Sequence, residues 1–268
     1  MERTQNGVED IFLKVATYNV CHCSVFKNNG NGYVNELADV SPAATADVIR
    51  GLNADIVGLN EVYEESDAGE ALVRQTEKIS ERAGYAHRFF ALGEKFAWRD
   101  SIGNAILSNY EILEAKRIPV AAPSESERLP EENQWYENRA VLKATIDIGV
   151  PVTVFATHFG LNAQEKKNIV NVLSEEIAAC KTPVILMGDF NSHPDDEVLK
   201  PLNNLLFNAA QPSCNGKNTF PSYAPREILD YIFVSREFEV TNFAVVEKIH
   251  SDHFPVTAVL KIGRRLNK

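Results

Sequence analysis

Long apolar runs are missing from this chain. None of its 268 residues lies in a stretch approaching the ~18 apolar residues that span a bilayer as a helix. The opening MERTQNGVEDIFLK lacks the basic-then-apolar order of a secretory signal, so a cytoplasmic protein is expected. Cysteine is scarce as well. Its four positions, Cys21, Cys23, Cys180 and Cys214, are too few and too scattered for a disulfide framework in a chain of this size. The Cys21-His22-Cys23 triplet departs from zinc sites, which take four ligands at wider spacings, and reads as ordinary strand sequence. Basic charge is also in deficit: 27 Lys+Arg stand against 37 Asp+Glu, a net charge of −10. Such a balance repels polyanions at long range and leaves out the basic run that marks a nucleic-acid-binding face. A nucleic-acid partner is therefore disfavoured without being excluded. No Pro/Gly/Ser-rich linker divides the chain, so residues 1–268 read as one domain, expected to be a monomer.

What is present is ordinary globular material, 44% hydrophobic and 24% charged, enough for a large core. Short runs rich in Val, Ile and Phe predict strands over Phe12–Asn19, Ile56–Glu61, His87–Leu92, Ala105–Ser108, Ala140–Ile148, Val152–His158, Val184–Asp189, Leu229–Ser235 and Val256–Ile262. Helical patterns fall between them. Ser41-Pro42 supplies a cap and a first-turn proline for a helix running to about Asn53. Others are expected over Ala68–Arg82 and Ala163–Ala179, with a short one after Pro194. Lys166 and Lys167 read as a solvated face of the third. Strand and helix alternate, give way to consecutive strands from His87 to His158, and then alternate again. That order predicts an α/β protein of two packed sheets with helices outside. The polar inserts Cys21–Val40 and Ala121–Asn138 read as loops.

Polar residues recur where apolar strands end. VATYN closes on Asn19, DIVGLNE on Glu61, VFATH on His158, and VILMGDFN on Asp189 and Asn191; EILDYIF then brings Asp230, and HSDHFPV brings Asp252 and His253. One such residue is a common turn residue. Many at like positions can converge, because strands of one sheet end along a common edge. Oxygen donors such as Glu61, Asp252 and Asn19 suit a hard cation, Mg²⁺ or Mn²⁺. Asp189 and Asn191, two residues apart, point to one side of an extended chain. One can hold or deprotonate a water while the other orients a phosphate oxygen. His158 and His253 can donate to an anionic oxygen, with Asp230 holding one imidazole in its tautomer. Together this is equipment for hydrolysing a phosphate ester by in-line attack of water. His22 and His87 flank strands without a carboxylate at matching spacing, His193 lies in a turn before Pro194, and His250 just precedes the Ser251-Asp252-His253 turn; all four read as structural or solvent-facing, with His193 and His250 the first exceptions to expect because of their neighbours.

In combination and order, TYN at Asn19, LNE at Glu61, SIGNAILS around Asn104, Thr157-His158, GDFN at Gly188 to Asn191, LDYIF at Asp230 and the closing SDH resemble the endonuclease/exonuclease/phosphatase superfamily. The resemblance implies a four-layer α/β sandwich of two mixed β-sheets packed face to face with helices on both outer faces. It implies that Glu61 is the main metal ligand, with Asn19 and Asp252 completing the site. Asp189 would then orient or activate the nucleophilic water and Asn191 contact the phosphate. His253 would be the terminal histidine, partnered by Asp230, and His158 the second histidine. Asn104, Arg99 and Arg139 are expected on the substrate. Asn60 and Asn104-Ala105 differ from the abasic-endonuclease branch, whereas THFG and GNAILS are similar to the sphingomyelinase-like, lipid-related bacterial branch.

The implied activity is a metal-dependent phosphoesterase acting on a small or lipid-linked phosphodiester. The alternatives are a nuclease and, from another class, an inactive binding or scaffold protein. Glu125, Glu127, Glu131, Glu132 and Glu137 in the second insert would repel a long polyanion more than a small ester. Trp98, Trp135 and Tyr136 are aromatic residues able to pack on a headgroup or base.

Overall fold

Two-residue alternation of apolar side chains builds the frame. The computed structural model describes residues 8–28, 33–64, 74–96, 101–130, 135–210 and 217–265. In chain order the strands are β1 (Val8–Asn19), β2 (Ser24–Asn28), β3 (Tyr33–Val40), β4 (Ile56–Glu64), β5 (His87–Lys95), β6 (Ser101–Ser108), β7 (Glu111–Val120), β8 (Arg139–Asp147), β9 (Pro151–His158), β10 (Val184–Asp189), β11 (Phe207–Asn208), β12 (Asp230–Val234), β13 (Glu239–Val245) and β14 (Val256–Arg265). The helices are α1 (Pro42–Leu52), α2 (Gln75–Ala83), α3 (Ala163–Ala178) and α4 (Lys200–Leu205). One six-stranded sheet has the order β13-β14-β1-β4-β6-β5, the other β11-β12-β10-β9-β8-β7, and β2-β3 form a separate hairpin. Both large sheets are mixed, with β1/β4 and β9/β10 the parallel pairs.

Along β1, Leu13 and Val15 enter the layer between the sheets with Ile56, Val154, Met187 and Ile232. Ala16 and Tyr18, at the alternate positions, face Ile49 and Leu52 of α1 and Ile79 of α2. The second sheet repeats the scheme, sending Phe155, Leu186 and Phe233 outward to Ile169 and Leu173 of α3 and Leu202 of α4. Each fully buried aliphatic or aromatic side chain contributes about 1.5–3 kcal/mol. The result is the expected four layers.

Local signals set the helix ends. Ser41 Oγ accepts from Ala44 N at 3.2 Å, Pro42 opens α1, and Asn53 closes it at φ +52. Asn162 and Glu165 form a capping box on α3. Three edge strands, β7, β11 and β13, were not foreseen. β7 carries mostly charged or exposed residues, the usual protection of a sheet edge, β13 breaks its apolar positions with exposed Glu239, Thr241 and Asn242, and β11 is only Phe207–Asn208, so none has a clear apolar signature. The insert Cys21–Val40, expected as a loop, holds a short 3₁₀ turn and the β2-β3 hairpin. Of the helix expected over Ala68–Arg82, the described part is α2, and residues 68–73 lie outside the described residues. No helix among the described residues is long and apolar enough to cross a membrane.

Candidate active site

At one end of the molecule the layer between the sheets turns polar. Residues in step with the core positions of their strands change character there. Asn19 continues the line of Leu13 and Val15 on β1, Asn60 that of Ile56 on β4, His158 that of Val154 and Ala156 on β9, and Asp189 that of Ile185 and Met187 on β10. On β12, Asp230 precedes Ile232 and Val234 in the same phase. The two-residue period puts all of them on the inner face. Register then makes neighbours of Asp189 and His158, Asp189 and Asp230, and Asn19 and Asn60.

Glu61 is out of step. Continued alternation would send it outward with Val57 and Leu59, but the β4/β6 register slips between Leu59 and Val62, and Glu61 takes φ +54. A bulge re-aims a side chain in this way. Glu61 Oε1 accepts from Asn19 Nδ2 at 3.0 Å, and Oε2 lies 3.2 Å from His22 Nε2. The preceding residue, Asn60, ties the sheets together. Its Nδ2 donates to Asn104 Oδ1 and to Thr157 O at 2.8 Å each, and its Oδ1 accepts from Asp189 N at 3.0 Å.

The Ser251-Asp252-His253 turn docks over the end of β1, where Ser251 N donates to Tyr18 Oη at 3.2 Å and Ser251 Oγ to the Asn19 carbonyl at 2.8 Å. His253 Nδ1 thereby meets Asp230 Oδ2 at 2.9 Å, and its Nε2 stands 3.6 Å from Asp189 Oδ2. Asn19 Nδ2 donates to that same Asp189 oxygen at 3.1 Å. Burial disfavours the imidazolium, but Asp230 and Asp189 outweigh it and push His253 up to about 10. Burial also raises Asp189, to about 7, with Asp230 adding to the rise and His253 opposing it. Glu61 goes the other way: burial raises it, yet the charge of His22 and the Asn19 N–H hold it down at about 2.

His158 is held from its far side. Arg139 Nη1 donates to its Nδ1 at 3.1 Å, so Nδ1 is the acceptor and Nε2 carries the proton. Burial and then the Arg139 charge hold His158 down to about 3. Its Nε2 lies 3.5 Å from Asp189 Oδ2 and 3.9 Å from Glu61 Oε1. Arg139 also pairs with Glu137 at 3.0 Å. Asn191 takes φ +44, donates from its backbone N to Asp189 Oδ1 at 2.9 Å and from Nδ2 to Phe159 O at 3.0 Å, and accepts Lys166 Nζ at its carbonyl. Lys166 is thus half-buried against the site rather than part of a solvated face; Lys167 alone is exposed as expected.

The model of the endonuclease/exonuclease/phosphatase family matches residues 16–253. The chain belongs to this family, whose members hydrolyse phosphate esters. Among solved structures of the fold, an endonuclease/exonuclease/phosphatase of Beutenbergia cavernae is 23% identical with a TM-score of 0.75, covering 94% of this chain and 72% of its own. A mannosyl-6-phosphatase of Bacteroides thetaiotaomicron is 18% identical at a TM-score of 0.68, over 92% and 99%. The human Nocturnin catalytic domain is 17% identical at 0.63, over 94% and 97%. Comparison with curated proteins gives no match.

Within this family framework the expected site residues separate into groups. Glu61, Arg139, His158, Asp189, Asn191, Asp252 and His253 line one pocket of about 290 Å³. Asp230 and Asn19 lie beneath, bonded to that lining. Asn104 does not reach it: buried at 3% exposure, it accepts from Asn60 and donates to the Ala140 carbonyl at 2.8 Å, a brace between sheets rather than a substrate contact. Arg99 and Trp98 lie outside the described residues, as do Glu131, Glu132 and Cys214. Asn19 turns its NH₂ toward the carboxylates, because its Oδ1 accepts from Cys21 N at 3.0 Å. His22, read as a residue without a carboxylate, faces Glu61; the bulge that brings Glu61 round has no sequence signature. His250 is structural, with Nε2 2.9 Å from Thr45 Oγ1.

The donor set fits a divalent cation. Burial and then the charge of Glu61 raise Asp252 against the pull of His253, a like-charge repulsion between pocket-lining carboxylates that a cation would remove.

Proposed function

We propose that the chain is a divalent-metal-dependent phosphoesterase that hydrolyses a small or lipid-linked phosphodiester by in-line attack of water. The observation that carries this reading is the continuous path Asp230, His253, Asp189, Asn19, Glu61, with contacts of 2.9, 3.6, 3.1 and 3.0 Å. Glu61 and Asp252 would hold Mg²⁺ or Mn²⁺, with Asn19 fixing the Glu61 and Asp189 carboxylates in place. Such an ion neutralises charge developing on the phosphate and its leaving group. Asp189, raised to about 7, has the proton affinity of a base for water near neutrality. His253, cationic against Asp230, and the Nε2–H of His158 donate to phosphate oxygens, so negative charge is met from two sides. Asn191, locked by Asp189 and Lys166, completes the cradle.

The rim supports a small or amphiphilic substrate. Among the described residues, Arg139 is the sole Lys or Arg lining the pocket, and Glu137 partly cancels it. Trp135 and Leu161 line the same pocket at 55% and 53% exposure, an apolar lip suited to an amphiphilic ester. A nuclease is the second reading, supported by the same Trp135, on which a base could stack. Purified protein with Mg²⁺ or Mn²⁺ tests both against bis-p-nitrophenyl phosphate, p-nitrophenyl phosphate, sphingomyelin vesicles, and single-stranded and duplex DNA. Turnover of the diester or lipid above DNA supports the first reading, preference for DNA the second. Folded protein inert toward every substrate in both metals overturns the enzyme reading.

A further inference from the structure

The turn that follows Asn19 is unusual in its backbone. Cys21, His22 and Cys23 take φ of 44°, 57° and 61° in succession, a left-handed run of non-glycine residues. Each such residue costs about 1 kcal/mol or more, so surrounding bonds must hold it. Asn19 Oδ1 accepts from Cys21 N at 3.0 Å, Val20 O from Cys23 N at 2.8 Å, and Cys23 O from Ser41 N at 2.8 Å. Gln75, fully buried, donates from Nε2 to His22 O at 2.8 Å while its Oε1 accepts from Tyr63 N at 2.9 Å. One side chain thus fixes both His22 and Tyr63, whose rings stack at 4.2 Å and 15°. The imidazole is preorganised, and its Nε2 is aimed at Glu61.

We infer that His22 is a nitrogen ligand to the cation held by Glu61, so that the site takes a transition ion of the Mn²⁺ class in preference to Mg²⁺. This rests on the metal-dependent reading above. Two atoms bound to one ion at ~2.1 Å and an angle between 90° and tetrahedral lie about 3.0–3.4 Å apart. His22 Nε2 and Glu61 Oε2 are separated by 3.2 Å, the edge of such a polyhedron. His22 Nδ1 is buried with no hydrogen-bond partner, whereas Nε2 faces Glu61 Oε2; in the metal-free protein that carboxylate can hold a proton on Nε2, and a cation would take the lone pair in place of that proton. Ligand atoms of Cys21, His22 and Glu61 all lie within 4.8 Å of one another. An imidazole donor moves selectivity from Mg²⁺, which favours oxygen, toward first-row transition ions.

Chelator-stripped full-length protein is titrated with Mn²⁺ and with Mg²⁺ by calorimetry, and the Mn²⁺ form is examined by pulsed electron paramagnetic resonance for directly bound ¹⁴N. The expected result is Mn²⁺ affinity at least about tenfold above Mg²⁺ and a ¹⁴N coupling of imidazole type. His22→Gln should abolish the coupling and weaken Mn²⁺ more than Mg²⁺. His22→Asn, suited to left-handed backbone, serves if the first variant fails to fold, and His158→Gln should keep the coupling. Bound Mn²⁺ without ¹⁴N coupling in the wild type, or coupling that survives in the folded His22 variant, overturns the inference. If binding is lost in Glu61→Gln but indifferent to His22, this inference alone falls. If neither ion binds the wild type, the metal-dependent reading falls with it.

Discussion

Arg139 Nη1 donates to Nδ1 of His158 across 3.1 Å, which makes a buried histidine a proton donor toward the pocket and denies it the role of base. The consequence is measurable in metal-free protein. ¹⁵N chemical shifts should show His158 as the neutral Nε2–H tautomer throughout pH 5–8, in keeping with its depression to about 3 by burial and Arg139. Arg139→Met removes the cation but not the burial, so the His158 pKa should rise part of the way toward its ordinary value. Wild-type titration near 6.5 would contradict the arrangement.

His253 and Asp230 act as a unit under the proposed mechanism. His253→Gln, which keeps a donor for Asp230 and avoids stranding a buried carboxylate, should lower kcat on the best substrate of the panel by about 10²–10⁴-fold. Asp230→Asn should cost a similar factor by releasing the tautomer and the charge of the imidazole. Circular dichroism should report the native fold in both. Rates within about threefold of wild type would remove this pair from the chemistry.

Much of this site could be read in the sequence because polarity interrupts apolar strands at Asn19, His158, Asp189 and Asp230, and a strand's two-residue period carries facing information. Glu61 was recognised, but its direction was not. It depends on a bulge whose register is set by β6, a non-local partner. His22 escaped notice for the same reason: a left-handed turn and a buried Gln75 aim it, and neither shows in spacing. Asn104 stood in a recognisable motif but proved to be a brace, since its bonds to Asn60 and Ala140 arise only when the sheets meet. Lys166 kept helical spacing, yet its proximity to Asn191 comes from how α3 packs beside β10.

Gly188 of the GDFN segment has a structural reason for its identity. A Cβ there would lie 1.9 Å from the Thr157 carbonyl oxygen, inside the β9/β10 pairing that sets Asp189 beside His158. Gly188→Ala should therefore cost more than about 3 kcal/mol, seen as loss of soluble protein or a collapsed melting temperature. Gly51, on the exposed side of α1 with nothing within 4 Å of its Cβ position, is the opposite case. Gly51→Ala should stabilise by about 0.5–1 kcal/mol. Equal effects of the two substitutions on thermal melting would refute the steric account.

Glu176 on α3 ties the second sheet to its helix layer through Lys143 Nζ at 2.8 Å and Lys116 Nζ at 3.2 Å. The Lys143 hydrogen bond holds its carboxyl below the usual range against the opposing effect of burial, with the Lys116 hydrogen bond adding to the drop. A depressed carboxylate stabilises the fold at pH values above its unfolded pKa, and the contribution disappears as pH falls through the folded pKa. Because the group is partly solvated, the effect is that of a surface network, about 0.5–1 kcal/mol at neutrality, or roughly 1–4 °C in melting temperature for a chain of this length. Glu176→Gln should melt lower than wild type by that margin at pH 7. The gap should narrow as pH falls through the lowered folded pKa of Glu176, and shrink in 1 M salt at pH 7 through screening. A gap that persists unchanged throughout acid titration would mean that Glu176 acts by packing, and that α3 is held to β7 and β8 by its apolar face alone.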